Sequence, residues 1–266
     1  MPEFHFNPDL YLQRIGLDVI PTPDETGLIG LHRAQFFSIP FENFDIQLGK
    51  NIDLNPMHLF DKLVKHQRGG YCFELNGLLG MALKHFGFEV RPLLARVHLS
   101  EEPSGRTHLL NMVELEQGPW IIDAGFGAGG LRSPLPLKEG VFEHETGYSF
   151  SLEEKAPWGW MMRTLDKGIW KDSYSFDLEY VTKEDIEVGN FYTSHSPNTH
   201  FTQIRTASKP TKNGRISLRN FTFTEITGGE VKTTEIEDNP AYLNFLEQKF
   251  GIRLDANYEE LKKLTT

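Results

Sequence analysis

The chain has one cysteine in 266 residues, Cys72, in the string Arg68-Gly69-Gly70-Tyr71-Cys72-Phe73-Glu74-Leu75-Asn76. A glycine pair leads straight into an apolar helical pattern, and the cysteine falls at the junction. A helix start presents unpaired N–H groups and partial positive charge, which favour the thiolate, the reactive form of the side chain. Downstream, His108 opens an apolar strand-like run, and Asp123 closes another, Trp120-Ile121-Ile122. Cysteine, histidine and aspartate in that order suit nucleophilic acyl chemistry, in which a thiolate attacks, an imidazole moves protons and a carboxylate fixes the ring. Each has a plainer reading: a buried cysteine is ordinarily a small inert hydrophobe, and an aspartate at a strand end is ordinarily a turn residue.

The chain offers ten histidines. His66 and His85 lie in helical patterns and read as structural, while His195 and His200 flank a proline-containing loop and are candidates to line a pocket. His98 and His108 border the same polar stretch; His108 is the better base, because its strand would hold the ring rigidly. A regular hairpin centred on Gln117-Gly118 pairs Asp123 with Met112. That puts Asp123 on the face of His108 but about 13 Å short of it at strand rise. A bulge, a shifted register or another pairing has to close the gap.

The positioning elements follow from pattern. Residues 1–87 read as helices. Asn7-Pro8 caps the first and Gly16 ends it; a second starts near Asp24 and stops at Pro40; a third carries Leu59, Phe60, Leu63 and Val64. The fourth follows Cys72 and ends at Gly87. The period then changes to two, with strands over 88–97, 109–115 and 120–123, then 147–152, 159–166 and 174–181. Thr182 to Asp185 resembles a capping box before a short helix. Strands at 201–207, 214–224 and 230–236, a Gly228-Gly229 turn and a helix from Asp238 to Gly251 complete the reading. The order is helices, strands, then a smaller α/β piece.

Composition narrows the function. The formal net charge of −10 argues against nonspecific nucleic-acid binding, which relies on a basic surface. No run of 18 apolar residues exists, and the first residues lack the basic start and apolar stretch of a secretory signal. A single cysteine allows no internal disulfide, so a cytoplasmic setting is expected. No zinc-ligand spacing exists, and Gly125 to Gly130 follows a hairpin instead of opening a βαβ unit, which excludes a dinucleotide fingerprint.

Together Arg68 to Asn76, Pro40-Phe41-Glu42-Asn43, Thr107-His108-Leu109-Leu110 and Asp123-Ala124-Gly125-Phe126-Gly127 resemble the arylamine N-acetyltransferase family, and the resemblance extends to Phe250-Gly251-Ile252. It implies an α+β fold, cysteine-protease/transglutaminase-like. A helical bundle (1–87) carries the nucleophile, a β-barrel-like domain (88–187) carries His and Asp, and 188–266 form an interdomain segment and α/β lid. It also implies acetyl-CoA as donor and arylamines, arylhydrazines or N-hydroxyarylamines as acceptors. Catalysis would fall to Cys72, His108 and Asp123, with no metal. Phe41 and Phe126 would flank the acceptor, with Phe201 from the lid, and Ser104-Gly105 would contact CoA. Arg106 is a further charge there, and Arg68 and Glu42 would clamp the cysteine loop. The expected partners are aromatic amines and CoA, with neither nucleic acid nor membrane, for a monomer or weak homodimer. The alternatives are a Cys-His-Asp hydrolase or transglutaminase-like enzyme, and a noncatalytic binding module.

Overall fold

The computed structural model describes residues 4–144 and 147–264. Helix α1 (Pro8–Ile15) starts where the Asn7 side chain accepts the Leu10 N–H, and ends at left-handed Gly16. Helix α2 (Glu25–Ser38) is capped by Asp24, which accepts the Gly27 N–H at 2.8 Å. Strand β1 (Phe41–Glu42), α3 (Phe44–Gln47) and α4 (Pro56–Phe60) follow; α4 continues as π-helix over Asp61–Lys65. Helix α5 (Cys72–His85) packs Leu75, Leu78, Leu79, Ala82 and Leu83 into one core with Leu28, Leu31, Phe36, Phe60 and Leu63. Each large side chain buried there contributes about 1.5–3 kcal/mol. That face, more than intrinsic helix propensity, holds α5 in place.

Strands β2 (Glu89–Val97), β3 (Arg106–Leu115), β4 (Gly118–Ile122), β5 (Leu135–Pro136), β6 (Gly140–Glu143), β7 (Ser149–Glu154), β8 (Trp160–Asp166) and β9 (Ile169–Phe176) form one antiparallel sheet. Its order is β5-β4-β3-β2-β9-β8-β7-β6, and it curls into a near-closed barrel. Alternation on β3 serves two cores. Leu110 and Met112 point inward with Leu93, Phe150, Met162 and Phe176, while Val113 points outward into the helical core.

Helix α6 (Lys183–His195) starts at the Thr182–Asp185 capping box, and α7 (His200–Gln203) follows. Strands β10 (Thr206–Thr211), β11 (Gly214–Arg219), β12 (Thr222–Thr227) and β13 (Glu230–Glu235) make a second sheet, ordered β1-β10-β11-β12-β13. Helix α8 (Ala241–Phe250) lays Tyr242, Leu246 and Phe250 on it. The edge strand of this C-terminal sheet is thus β1, from the chain's first 87 residues, with Phe41 opposite Ser208 and Glu42 opposite Ala207. The PFEN segment therefore joins the cysteine region to the lid.

Several strand bounds differ from the sequence reading. The strand expected at 174–181 runs over Ile169–Phe176. The expected 214–224 is two strands of a hairpin, β11 and β12, turning at Asn220-Phe221. Residues 201–203 belong to α7, not to a strand. Tertiary pairing sets the first and last of these bounds, where the period is ambiguous, and the β11–β12 turn is made by Asn220 in the left-handed region. Among the described residues no helix is long and apolar enough to cross a membrane.

Candidate active site

The chain enters α5 through a close crossing with the PFEN segment. Glu42 N–H donates to Gly70 O at 2.9 Å, and Gly70 N–H donates to Pro40 O at 3.3 Å. A Cβ on Gly69 would overlap Pro40 O, and one on Gly70 would lie 2.8 Å from Glu74 Cβ. Only glycine fits at either position. Cys72 is the first residue of α5, so its side chain sits at the helix's positive end. Its Sγ lies 3.8 Å from Thr107 O, beside His108.

The register of the β3–β4 hairpin answers the distance problem. Leu115 pairs with Gly118, Met112 with Ile121 and Asn111 with Ile122, so the turn is Glu116-Gln117. Continued by one step, that register sets Asp123 opposite Leu110, not Met112. His108 is then a diagonal neighbour on the same face, about 7–8 Å away between backbones and within side-chain reach. His108 Nε2 meets Asp123 Oδ2 at 2.8 Å. With Nε2 engaged, Nδ1 is the ring atom left for the sulfur, and Cys72 contributes to holding the ring's proton.

Asn76, one helical turn after Cys72, ties the three elements together. Its Nδ2 donates to Asp123 Oδ1 at 2.8 Å and to Leu109 O at 2.6 Å, and its Oδ1 accepts the Ala124 N–H at 2.9 Å. Gly125 N–H also donates to Asp123 Oδ1, at 2.8 Å. From α2, His32 Nε2 donates to the Asp123 backbone carbonyl at 2.9 Å. Tyr174 turns its hydroxyl toward the Asp123 carboxylate but falls short of hydrogen-bond geometry.

Burial is nearly complete: Cys72 is 4% exposed, His108 2% and Asp123 0%. Burial alone pushes the His108 imidazole down. The Asp123 charge and hydrogen bond, with Cys72, reverse this and hold it up at about 10. Burial likewise raises the Asp123 carboxyl, but His108, Asn76 and the Gly125 N–H together keep it below the usual carboxylate range. His32 has no charged partner strong enough to offset burial, which lowers it to about 4, so it stays neutral. The site thus holds an imidazolium–carboxylate pair beside the Cys72 sulfur.

The Arg68–Glu42 pair exists and belongs to a larger cluster. Arg68 meets Glu42 at 2.8 Å and Asp45 at 3.0 Å, and Lys62 meets Asp45 at 2.6 Å and Glu74 at 2.7 Å. Glu74 also accepts the Tyr71 N–H, so the cluster braces the residue preceding the cysteine. Three carboxylates face two cations, and burial pushes the Glu74 carboxyl up.

Phe126 lies edge-on to His108, with centroids 5.1 Å apart, and also touches Tyr174. Phe41 and Phe201 are in contact at 5.9 Å, and Phe201 meets Tyr71 at 5.8 Å. Ser104 is held within its own loop: it accepts the Val97 N–H at 2.8 Å and donates to Gly105 O at 2.7 Å. Arg106 is turned to Asp177 and Glu179. His98 bonds to Ser175 and His195 to Asn51, while the His200 ring lies tilted against Phe201, with centroids 4.0 Å apart. Asn76, His32 and Tyr174 are the site residues that sequence reasoning left without a role. Asn76 carried a signal, its spacing of one turn from Cys72; the other two come from distant segments and carried none. Among the described residues no cluster of metal-ligating side chains is present.

The chain is similar to known proteins along nearly its whole length. Residues 26–259 match the family model described as N-acetyltransferase. The chain is 36% identical to the arylamine N-acetyltransferase / N-hydroxyarylamine O-acetyltransferase of Salmonella typhimurium, over 91% of this chain and 87% of that one. It is 33% identical to the Escherichia coli arylamine N-acetyltransferase, over 92% and 88%. The solved Salmonella typhimurium enzyme superposes with a TM-score of 0.90 over 96% of this chain and 97% of that one, at 32% identity. The Mycobacterium marinum enzyme in complex with CoA does so at 0.89, over 96% and 97%, at 29% identity. The fold is that of the N-acetyltransferase class. The chain belongs to the arylamine N-acetyltransferase family.

Proposed function

We propose that this chain transfers an acetyl group from acetyl-CoA, through a thioester on Cys72, to the nitrogen of arylamines or arylhydrazines and the oxygen of N-hydroxyarylamines. The observation that carries the reading is the His108–Asp123 bond at 2.8 Å beside the first residue of α5. Its strongest support outside the site is the likeness to enzymes named for that activity.

Cys72 thiolate attacks the thioester carbon of acetyl-CoA. The carbon–sulfur bond to CoA breaks, and the leaving CoA thiolate takes the proton of the His108 imidazolium. An acetyl-enzyme remains, with His108 neutral and oriented by Asp123. The acceptor amine attacks the acetyl carbon, and the bond to Cys72 breaks. The amine's surplus proton passes to His108, which restores the ion pair. An arylamine is uncharged at neutral pH, so it attacks before losing that proton, and base assistance falls late. Near-complete burial of the three residues keeps water from competing for the acetyl group.

Phe41, Phe126 and Phe201 supply the apolar walls for the acceptor ring, Phe126 being the one against His108. For CoA, the Ser104 proton is committed inside the β2–β3 loop, so this residue shapes the loop. Above Gly105 a Cβ would meet nothing nearer than 3.8 Å, which leaves room for a ligand to approach the backbone.

Initial velocities at several fixed arylamine concentrations test the order of events. Parallel double-reciprocal lines are expected from two half-reactions at one thiol. Convergent lines contradict a covalent intermediate, and rapid acetyl-CoA hydrolysis without any amine points to a hydrolase.

A further inference from the structure

We infer that Asn43 is a positioning residue that sets acceptor selectivity through Phe201; this rests on the acetyl-transfer reading above. Asn43 is only 2% exposed and follows β1, the strand that carries Phe41. All of its side-chain polar groups are engaged with one segment of the lid. Nδ2 donates to Phe201 O at 2.8 Å and to Ile204 O at 2.7 Å, and Oδ1 accepts the Thr206 N–H at 2.8 Å. Its backbone N–H reaches Thr206 O at 3.3 Å. Gln47, on α3, adds a second donor to Phe201 O at 2.7 Å.

The partners explain the arrangement. Helix α7 spans only His200–Gln203, too short to satisfy its own last carbonyls. Asn43 and Gln47 supply the missing donors from the N-terminal region. One amide closes both ends of the turn from Phe201 to Thr206, so it fixes where the turn sits against β1. The Phe201 ring then lies against Phe41 and against Tyr71, the residue before the cysteine.

The consequence is selective. A ring-bearing acceptor depends on where the Phe201 face stands, because aromatic contacts are directional. Hydrazine itself carries no ring, and the bond from Cys72 to the acetyl group does not involve Phe201. Asn43 therefore acts on the binding of aromatic acceptors, leaving formation of the acetyl-enzyme and its discharge by hydrazine intact.

The test compares wild type, Asn43→Ala and Gln47→Ala in separate half-reactions. Acetyl-enzyme formation is followed by stopped flow with acetyl-CoA, and discharge is followed with para-substituted anilines and with hydrazine. For Asn43→Ala the aniline KM is expected to rise about fivefold to tenfold, the size of a lost buried hydrogen-bond donor, with acetylation and hydrazine discharge within about twofold of wild type. In a Phe201→Ala background the same substitution is expected to change aniline KM no further. Gln47→Ala, which removes one donor instead of two, is expected to show a smaller shift of the same kind. It also keeps the inference open to refutation should Asn43→Ala not fold. Equal losses for aniline and hydrazine in either variant, or an undiminished effect in the Phe201→Ala background, overturn the inference. A wild-type protein that takes no acetyl group from acetyl-CoA fails earlier, and overturns the parent reading with it.

Discussion

Asn76 Nδ2 stands 2.8 Å from Asp123 Oδ1, on the helix that begins with Cys72. The same nitrogen reaches Leu109 O, next to His108 in the chain. One amide thus couples the element bearing the nucleophile to both strands bearing the base and its carboxylate. Asn76→Ala removes a donor from Asp123 Oδ1 and from Leu109 O, and leaves the Ala124 N–H without its Asn76 acceptor. Urea denaturation is expected to show a loss of about 1–3 kcal/mol, and acetylation by acetyl-CoA to slow. Unchanged stability and rate count against this coupling.

The charge cluster behind the cysteine makes a second prediction. The Glu42 carboxylate is fully buried, and Arg68 is its ion-pair partner at 2.8 Å. Arg68→Gln strands that charge and leaves Lys62 as the cation facing three carboxylates. A loss of about 3–5 kcal/mol is expected by thermal or denaturant unfolding. The double variant Arg68→Gln/Glu42→Gln recovers part of it. A double no more stable than Arg68→Gln alone contradicts the pairing.

Two histidines give the stability profile opposite limbs. His108 is held at about 10 in the fold, above its ordinary 6.5, so its contribution is full below about pH 6.5 and is lost as pH rises toward 10. His32 is lowered to about 4, so the fold favours its neutral form. That contribution is full above about pH 6.5 and is lost as pH falls toward 4. Unfolding free energy measured across pH is expected to peak between the limbs. His32→Gln should flatten the acid limb, and His108→Gln the alkaline limb; an acid limb unchanged in His32→Gln refutes the assignment.

Phe126 borders the base, with its ring 5.1 Å from His108. Phe126→Ala is expected to change the ranking of arylamine acceptors by about tenfold, the scale of a missing apolar contact, and to alter acetyl-enzyme formation less. Equal losses in both half-reactions indicate plain packing.

The sequence carried the local signals well and the long-range ones poorly. Asn7, Asp24 and Thr182 cap their helices and Gly16 and Gly251 end theirs, because capping is decided within a few residues. Cys72, His108 and Asp123 stood out by type and by place at element ends. The hairpin register did not: a turn at Glu116-Gln117 and one at Gln117-Gly118 differ by two residues in pairing, and only the packed sheet selects between them. The same holds for β1, two residues long, whose partner Ser208 lies far along the chain. His32 lies on α2 among Leu28 and Leu31 and looks like any helix residue until α2 meets the end of β4.

Intact mass of the protein after brief exposure to acetyl-CoA tests the central claim most directly. Wild type is expected to gain one acetyl group that is released on adding an arylamine, and Cys72→Ala to gain none. A folded wild type that stays unmodified, or a Cys72→Ala protein that gains the same mass, contradicts the account.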